Sequence, residues 1–243
     1  TDLDFLRHIL ADEGLFCWFE HIGDESEAFG AHTLVIADNN GAFTDNVQSS
    51  IRFTQPGATL SEDSVDRWES VRQLGITESA AGGWDYRAAQ PQQQGAGALV
   101  HNADTPIDLA DMDDAGQYGW QDATQGERRL RNRQQAIDAQ AKCFEGQGTV
   151  RTAAPGSTFM LFDHPEHDLD ADPEQRFVIL ELTHRARNNL AERIPQALDA
   201  LGSAPGDGQG TDLYRNRFTA LRTIVPWRVR THDAAGRALF ARP

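Results

Sequence analysis

The densest group of side chains able to do chemistry is the segment DHPEHDLDAD, which places Asp163, His164, Glu166, His167, Asp168, Asp170 and Asp172 within ten residues. Imidazole and carboxylate together are suitable ligands for zinc or manganese, and such a centre would make the chain a metal-dependent hydrolase. The spacing argues otherwise. A zinc pair on one helix face needs two His four apart, as in H-E-x-x-H, whereas His164 and His167 are three apart with Pro165 between them. Asp, His and Pro are ordinary residues for a turn between strands. No metal ligand is therefore assigned, and a hydrolase built on His164 and His167 stands as a rival reading.

Other routes to catalysis are thinner. The chain has no G-x-S-x-G elbow, no G-x-x-x-x-G-K-[ST] loop and no G-x-G-x-x-G between a strand and a helix; GDGQG at 206–210 follows no strand and enters no helix pattern. Acidic pairs such as Glu62-Asp63 and Asp113-Asp114 are too common here to imply glycosidase chemistry. No catalytic, cofactor-binding or metal residue is assigned, and nothing requires an enzyme. Phe16, Trp18, Phe19 and Trp227 fall in strand patterns, where aromatic residues usually serve a core or an interface. A second rival is a monomeric carbohydrate- or peptide-binding β module using Trp18, Trp84 or Trp227. An interaction protein is the default from residues alone.

Composition narrows the partners. The balance of 37 acidic against 22 basic residues gives a net charge of -15, and Lys142 is the only Lys. A surface of that sign repels phosphate backbones and anionic lipid, so neither nucleic acid nor a membrane surface is an expected partner. Mean hydropathy is -0.55, and no apolar run approaches the roughly 20 residues of a membrane-spanning helix. Cys17 and Cys143 form no zinc set and no disulfide framework, and both are expected to be buried thiols.

The elements that must position these residues are read from periodicity. Thr1 with Asp4 makes a capping box, Leu3, Leu6, Ile9 and Leu10 make an apolar stripe, and Gly14 supplies a left-handed stop, so a helix is expected over 2–13. LFCWFEH and HTLVIADN read as paired strands, and two or three more strands are expected between Ile51 and Ile76. WDYRAAQPQQQGAGA loses periodicity and is read as a connection, with a boundary near residue 90. From 124 to 146 a second helix is expected, capped by Thr124 with Glu127, ended by Gly146, and carrying Arg128, Arg129, Arg131 and Arg133 on one face. TVRTAAPGSTFMLFDHP reads as two strand-like runs about a Pro155-Gly156 turn. QRFVILELTHRAR is apolar on both alternating faces, the mark of a strand covered on both sides. Residues 188–212 read as a mobile insertion and 213–243 as terminal strands and linker, which leaves subdomains at 1–90 and 91–187 in an α+β, predominantly β chain.

An ordered series of segments then resembles one family. TDLDFLRHILADEGLFCWFEH with HTLVIADN, WDYRAAQP, the Arg-rich segment around 118–148, PGSTFMLFDHPEHDL, RFVILELTHRARNN and YRNRFTALRTIVPWRVR are similar, in family order, to the VgrG spike proteins of bacterial type VI secretion systems and through them to contractile phage tail hubs. The resemblance implies phage-tail-hub-like β-barrel or sandwich subdomains with two notable helices. It also implies a non-catalytic role without cofactor or metal. The implied partners are two further copies in a homotrimer, the hexameric Hcp ring of the tube, and effector or adaptor proteins. The implied route is assembly in the bacterial cytoplasm followed by injection into a target cell. The chain opens inside a helix signature without an initiator Met or signal peptide, so it is expected to be an internal piece of such a spike. On the resemblance, an N-terminal barrel portion would precede it, and an oligosaccharide-binding-like β domain and needle would follow. The segment 188–212 is longer and more irregular than the family's usual link.

Overall fold

The computed structural model describes residues 1–22, 31–55, 62–84, 92–97, 109–117, 120, 122–187 and 213–231. It begins with helix α1, Asp2–Asp12. Thr1 Oγ1 accepts from the Asp4 backbone N–H, and the Asp4 carboxylate reaches back to the Thr1 backbone, so the expected capping box is present. At the other end the Leu15 N–H reaches the Leu10 carbonyl and the Gly14 N–H reaches that of Ala11. This is a Schellman closure, and Gly14 sits at φ +75°, where a Cβ would be strained. A hairpin follows, made of β1 (Phe16–Ile22) and β2 (Ala31–Ala37).

The centre is a closed six-stranded barrel. Its strands are β3 (Thr44–Phe53), β4 (Ser64–Arg72), β8 (Lys142–Gly148), β9 (Ser157–Phe162), β10 (Arg176–Ala186) and β11 (Tyr214–Arg222), joined in the order β10-β11-β8-β4-β3-β9. Strands from before and after residue 90 thus share one sheet. Inside it lie Ile51, Val65, Trp68, Phe144, Phe159, Leu161, Phe177, Ile179, Phe218 and Ala220. Closure leaves the barrel itself without an open edge for strand addition. On β10 the alternation anticipated from its two apolar faces is resolved: Phe177 and Ile179 enter the barrel, while Val178 packs outside it with Leu221, Val225 and Ala139.

Ala139 belongs to α2, Ala123–Ala141, and this helix departs from expectation at both ends. Asp122, not Thr124, is its N-cap, accepting from the Gln125 N–H at 2.8 Å. It stops at Ala141, because Lys142–Gly148 is strand β8. Phe144, Gly146 and Gly148 alternate inward on that strand, so Gly146 ends no helix and instead lies under the Phe218 ring. Arginines of α2 pair with carboxylates, Arg128 with Glu13 at 2.7 Å and Arg133 with Asp111 and Asp113 at 2.6 and 2.9 Å. Those two aspartates lie on a further sheet that α2 meets, made of β5 (Glu78–Trp84), β6 (Gln92–Gly97) and β7 (Ala110–Gln117) in the order β6-β5-β7. Fully buried Gln134 links the two, accepting from Ser79 Oγ at 2.7 Å and donating to the Ile76 carbonyl at 3.0 Å. The stretch read as a connection begins with Trp84, the last residue of β5, and contains strand β6; residues 85–91 and 98 of it lie outside the described residues, as do the insertion at 188–212 and the tail at 232–243. The first run of TVRTAAPGSTFMLFDHP is turn rather than strand, and β9 begins at Ser157, after Gly156 at φ +79°. Among the described residues no helix is long and apolar enough to cross a membrane.

Candidate functional site

The acidic His segment closes one end of the barrel. Asp163 turns the chain out of β9 at φ 59°, a conformation Asp tolerates, and pairs with Arg52 at 3.0 Å. His167 starts a single 3-10 turn, His167–Leu169, and is almost wholly buried. Its Nε2 accepts from Trp68 Nε1–H at 2.9 Å, which requires the proton on Nδ1, and Nδ1 lies 2.9 Å from Asp170 Oδ2. Asp170 in turn receives Arg222 at 2.8 Å. Both ring nitrogens of His167 are thus engaged, and a metal at Nε2 would have to displace the Trp68 bond. His164 stacks on His167 at 4.7 Å and lies edge-on to Phe53 at 4.7 Å. Glu166 and Asp168 are exposed. Among the described residues no group of three or more His, Cys, Asp and Glu is placed to hold a metal ion. The arrangement is a polar plug that fastens the loop to the barrel core.

Burial, with the neighbouring His167 second, holds the His164 imidazole below its ordinary titration range. The unfolded chain then binds a proton more readily than the folded one, so this contribution to stability is complete above the ordinary His value and is lost as pH falls below it toward the folded value. Unfolding by denaturant at pH 7 and pH 5 should show the loss, and His164→Gln should make the pH dependence shallower. An unchanged dependence in the variant would place the acid sensitivity elsewhere.

Two of the three tryptophans considered for a ligand site serve the core. Trp18 is buried against Phe16 and Phe43, at 6.0 and 5.4 Å between ring centroids, and its Nε1–H donates to Glu20 at 3.3 Å. Gly156 lets it fit, since a Cβ there would sit 2.5 Å from Trp18 Nε1. Trp227 packs partly buried against the same cluster and against the outside of β10 and β11, and its backbone N–H donates to Asn40 at 2.9 Å. The Trp84 ring lies outside the described residues.

What remains unfilled is apolar and faces outward. The antiparallel register of β1 and β2 pairs Cys17 with Ile36 and Phe19 with Leu34 on the face opposite Phe16 and Trp18. Phe19 is 55%, Leu34 48% and Ile36 51% exposed. Helix α1 presents Leu3, Phe5 and Leu6, each 55% exposed, with Ile9 at 45%. The apolar stripe anticipated for this helix exists, yet only Ala11 of the helix is fully buried. Groups of this size left in water mark surfaces that meet other proteins. The sequence carried a signal for them, because LFCWFEH is apolar at successive positions and a strand with two apolar faces needs two covers.

Cys17 is therefore exposed, contrary to the expectation of two buried thiols, and Cys143 is half-buried with its Sγ–H directed at the Ala139 carbonyl. Burial and then the charge of Glu181 push the Cys143 thiol up to about 11. Iodoacetamide at pH 7.5 should alkylate one thiol per folded chain, at Cys17, as read by peptide mass spectrometry. Equal labelling of both would contradict the placement of β8.

Residues 1–190 match the family model described as phage tail baseplate hub (GPD). The type VI secretion system spike protein VgrG1a of Pseudomonas aeruginosa is 27% identical over 217 residues, covering 84% of this chain and 31% of that protein. VgrG1b of the same organism is 24% identical over 213 residues, covering 83% and 27%. The chain thus spans less than a third of the length of these curated relatives. Among solved structures, the 43 kDa tail protein of prophage MuSo2 from Shewanella oneidensis aligns with a TM-score of 0.53 at 10% identity, over 92% of this chain and 55% of that one. The tail protein from Neisseria meningitidis MC58 aligns with a TM-score of 0.50 at 10% identity, over 91% and 54%. These two similarities concern the fold.

Proposed function

Because this chain belongs to the phage tail baseplate hub family, we propose that it is the hub-like part of a VgrG-type spike, a structural and non-catalytic piece of a type VI secretion system. In this reading three copies associate, seat on the tube of Hcp rings, and carry effectors from the bacterial cytoplasm into a target cell. The observation that carries it is the pair of outward apolar faces, Phe19, Leu34 and Ile36 on the hairpin and Leu3, Phe5, Leu6 and Ile9 on α1, in a chain whose barrel has no open edge. A monomeric domain gains nothing from leaving such side chains in water; a subunit recovers their hydrophobic free energy on assembly, about 25 cal/mol per Å² removed from water. The engagement of both His167 ring nitrogens supports a structural role for the loop that otherwise most resembles a metal site.

Deleting the gene from its host should stop release of the tube protein into the medium, and the wild-type gene should restore it. A Phe19→Asp/Leu34→Asp version should fail to restore release while keeping the circular dichroism of the wild type, since among the described residues these side chains join no core cluster. Full release from that version would remove the hairpin face from the assembly.

A further inference from the structure

The outer face of the hairpin holds one feature that assembly through apolar contacts does not use. His21 of β1 and His32 of β2 are direct cross-strand partners, two positions along from the Phe19–Leu34 pair and on the same face. Their Nδ1 atoms lie 2.6 Å apart, with ring centroids separated by 4.8 Å and planes at 80°. Both residues are exposed. At that distance one ring donates its Nδ1–H into the lone pair of the other, because two unprotonated nitrogens would repel. Backbone register therefore holds two imidazole Nδ1 positions on a common point that solvent can reach. On the opposite face, Glu20 is occupied by Trp18 and does not compete for that point.

We propose that His21 and His32 form a two-imidazole chelating site for a divalent transition-metal ion of the nitrogen-preferring kind, with Cu²⁺ as the tightest ligand. Imidazole suits copper, nickel and zinc, and affinity for one site rises to its maximum at Cu²⁺. The exchange balances without an acid or base. The ring that carries Nδ1–H moves that proton to its own Nε2 through water, both rings become neutral Nε2–H tautomers, and the ion takes both Nδ1 lone pairs. Bonds of about 2.0–2.1 Å at angles between square and tetrahedral separate the nitrogens by about 2.9–3.4 Å. The rings must open by less than about 1 Å, within the broad χ2 range of His. Water completes the coordination shell, which makes the site exchangeable rather than a buried structural centre. The chain's charge of -15 raises the local concentration of cations. The bound ion bridges β1 and β2 beside the hairpin connection and stabilises the folded hairpin by mass action. The pair shares its face with Phe19 and Leu34, which the assembly reading covers, so the site belongs to the unassembled chain and its titration tests it apart from that reading.

The test is titration of the whole chain with Cu²⁺ alone, with affinity from calorimetry and the number of bound nitrogens from electron paramagnetic resonance. The tightest step in the wild type should bind one ion with two imidazole nitrogens. His21→Gln and His32→Gln should each weaken that step by at least about tenfold, the advantage of a tethered second ligand. His164→Gln should leave it unchanged. Circular dichroism checks that each exposed substitution keeps the fold. The proposal is overturned if the tightest step keeps its affinity in the His21→Gln/His32→Gln variant, or if its spectrum lacks two imidazole nitrogens in the wild type.

Discussion

Trp68→Ala should lower the unfolding free energy by about 5 kcal/mol, the largest effect expected of any single side-chain truncation in this chain. Trp68 stacks on Phe144 at 5.2 Å and meets Phe177 at 4.9 Å, Phe159 at 6.0 Å and Phe218 at 6.1 Å, so its ring touches the aromatic wall from β8 to β11. Removing a buried Trp costs about 3–5 kcal/mol through lost transfer energy and the cavity left behind. The substitution also strips His167 Nε2 of its donor at a site that is 3% exposed, and an unsatisfied buried acceptor adds about 1–3 kcal/mol. Against a total of about 5–15 kcal/mol for a domain, little stability remains. Trp68→Phe keeps one six-membered aromatic ring and loses the N–H with the rest of the indole, so it retains most of the packing; it should cost about 1–3 kcal/mol, less than Ala. Denaturant unfolding followed by far-ultraviolet circular dichroism measures both. Equal costs for Ala and Phe would mean that the ring does not fill the barrel as described.

Gly148→Ala should be nearly as damaging, for the opposite reason. Gly148 faces inward on β8 between Val65 of β4 and Asn216 of β11. A Cβ there would stand 2.2 Å from the Ser64 carbonyl oxygen and 2.9 Å from Val65 Cα, both backbone atoms. That same carbonyl accepts the Thr149 N–H at 2.9 Å, so relief requires β4 and β8 to part and the ladder to open. Overpacking a tight core costs about 1–3 kcal/mol and occasionally more; with no flexible side chain able to move aside, about 3 kcal/mol is expected. Gly82→Ala is the control. Among the described residues a Cβ at Gly82 meets nothing within 4 Å, and the change should be neutral or stabilising by up to about 1 kcal/mol. A mild effect at Gly148 would contradict the close approach of β4 to β8.

Local signals were legible in the sequence, and signals that depend on distant partners were not. The Thr1–Asp4 capping box and the Gly14 stop involve neighbours within a few residues, so the first helix could be read almost to its ends. The two apolar faces of β10 likewise needed only alternation. The second helix was overrun because Phe144 continues the helical stripe of Leu130 and Ile137 as well as it begins the alternation Phe144, Gly146, Gly148. Tertiary pairing decides between the two, and β8 is required to join β4 to β11. The fate of His167 was hidden for the same reason, since the Trp68 indole that fixes its tautomer is 99 residues away. Cys17 shows the remaining gap: apolar residues on both faces of β1 indicate that both faces seek cover, but not which of the two stays exposed.

The most direct test of the account is the solution mass, by light scattering, of the full-length gene product that contains this chain, measured over a wide concentration range. The account predicts three times the protomer mass, with Cys17 protected from alkylation in the assembled form. A mass of one protomer at every concentration would contradict the assignment to a spike hub.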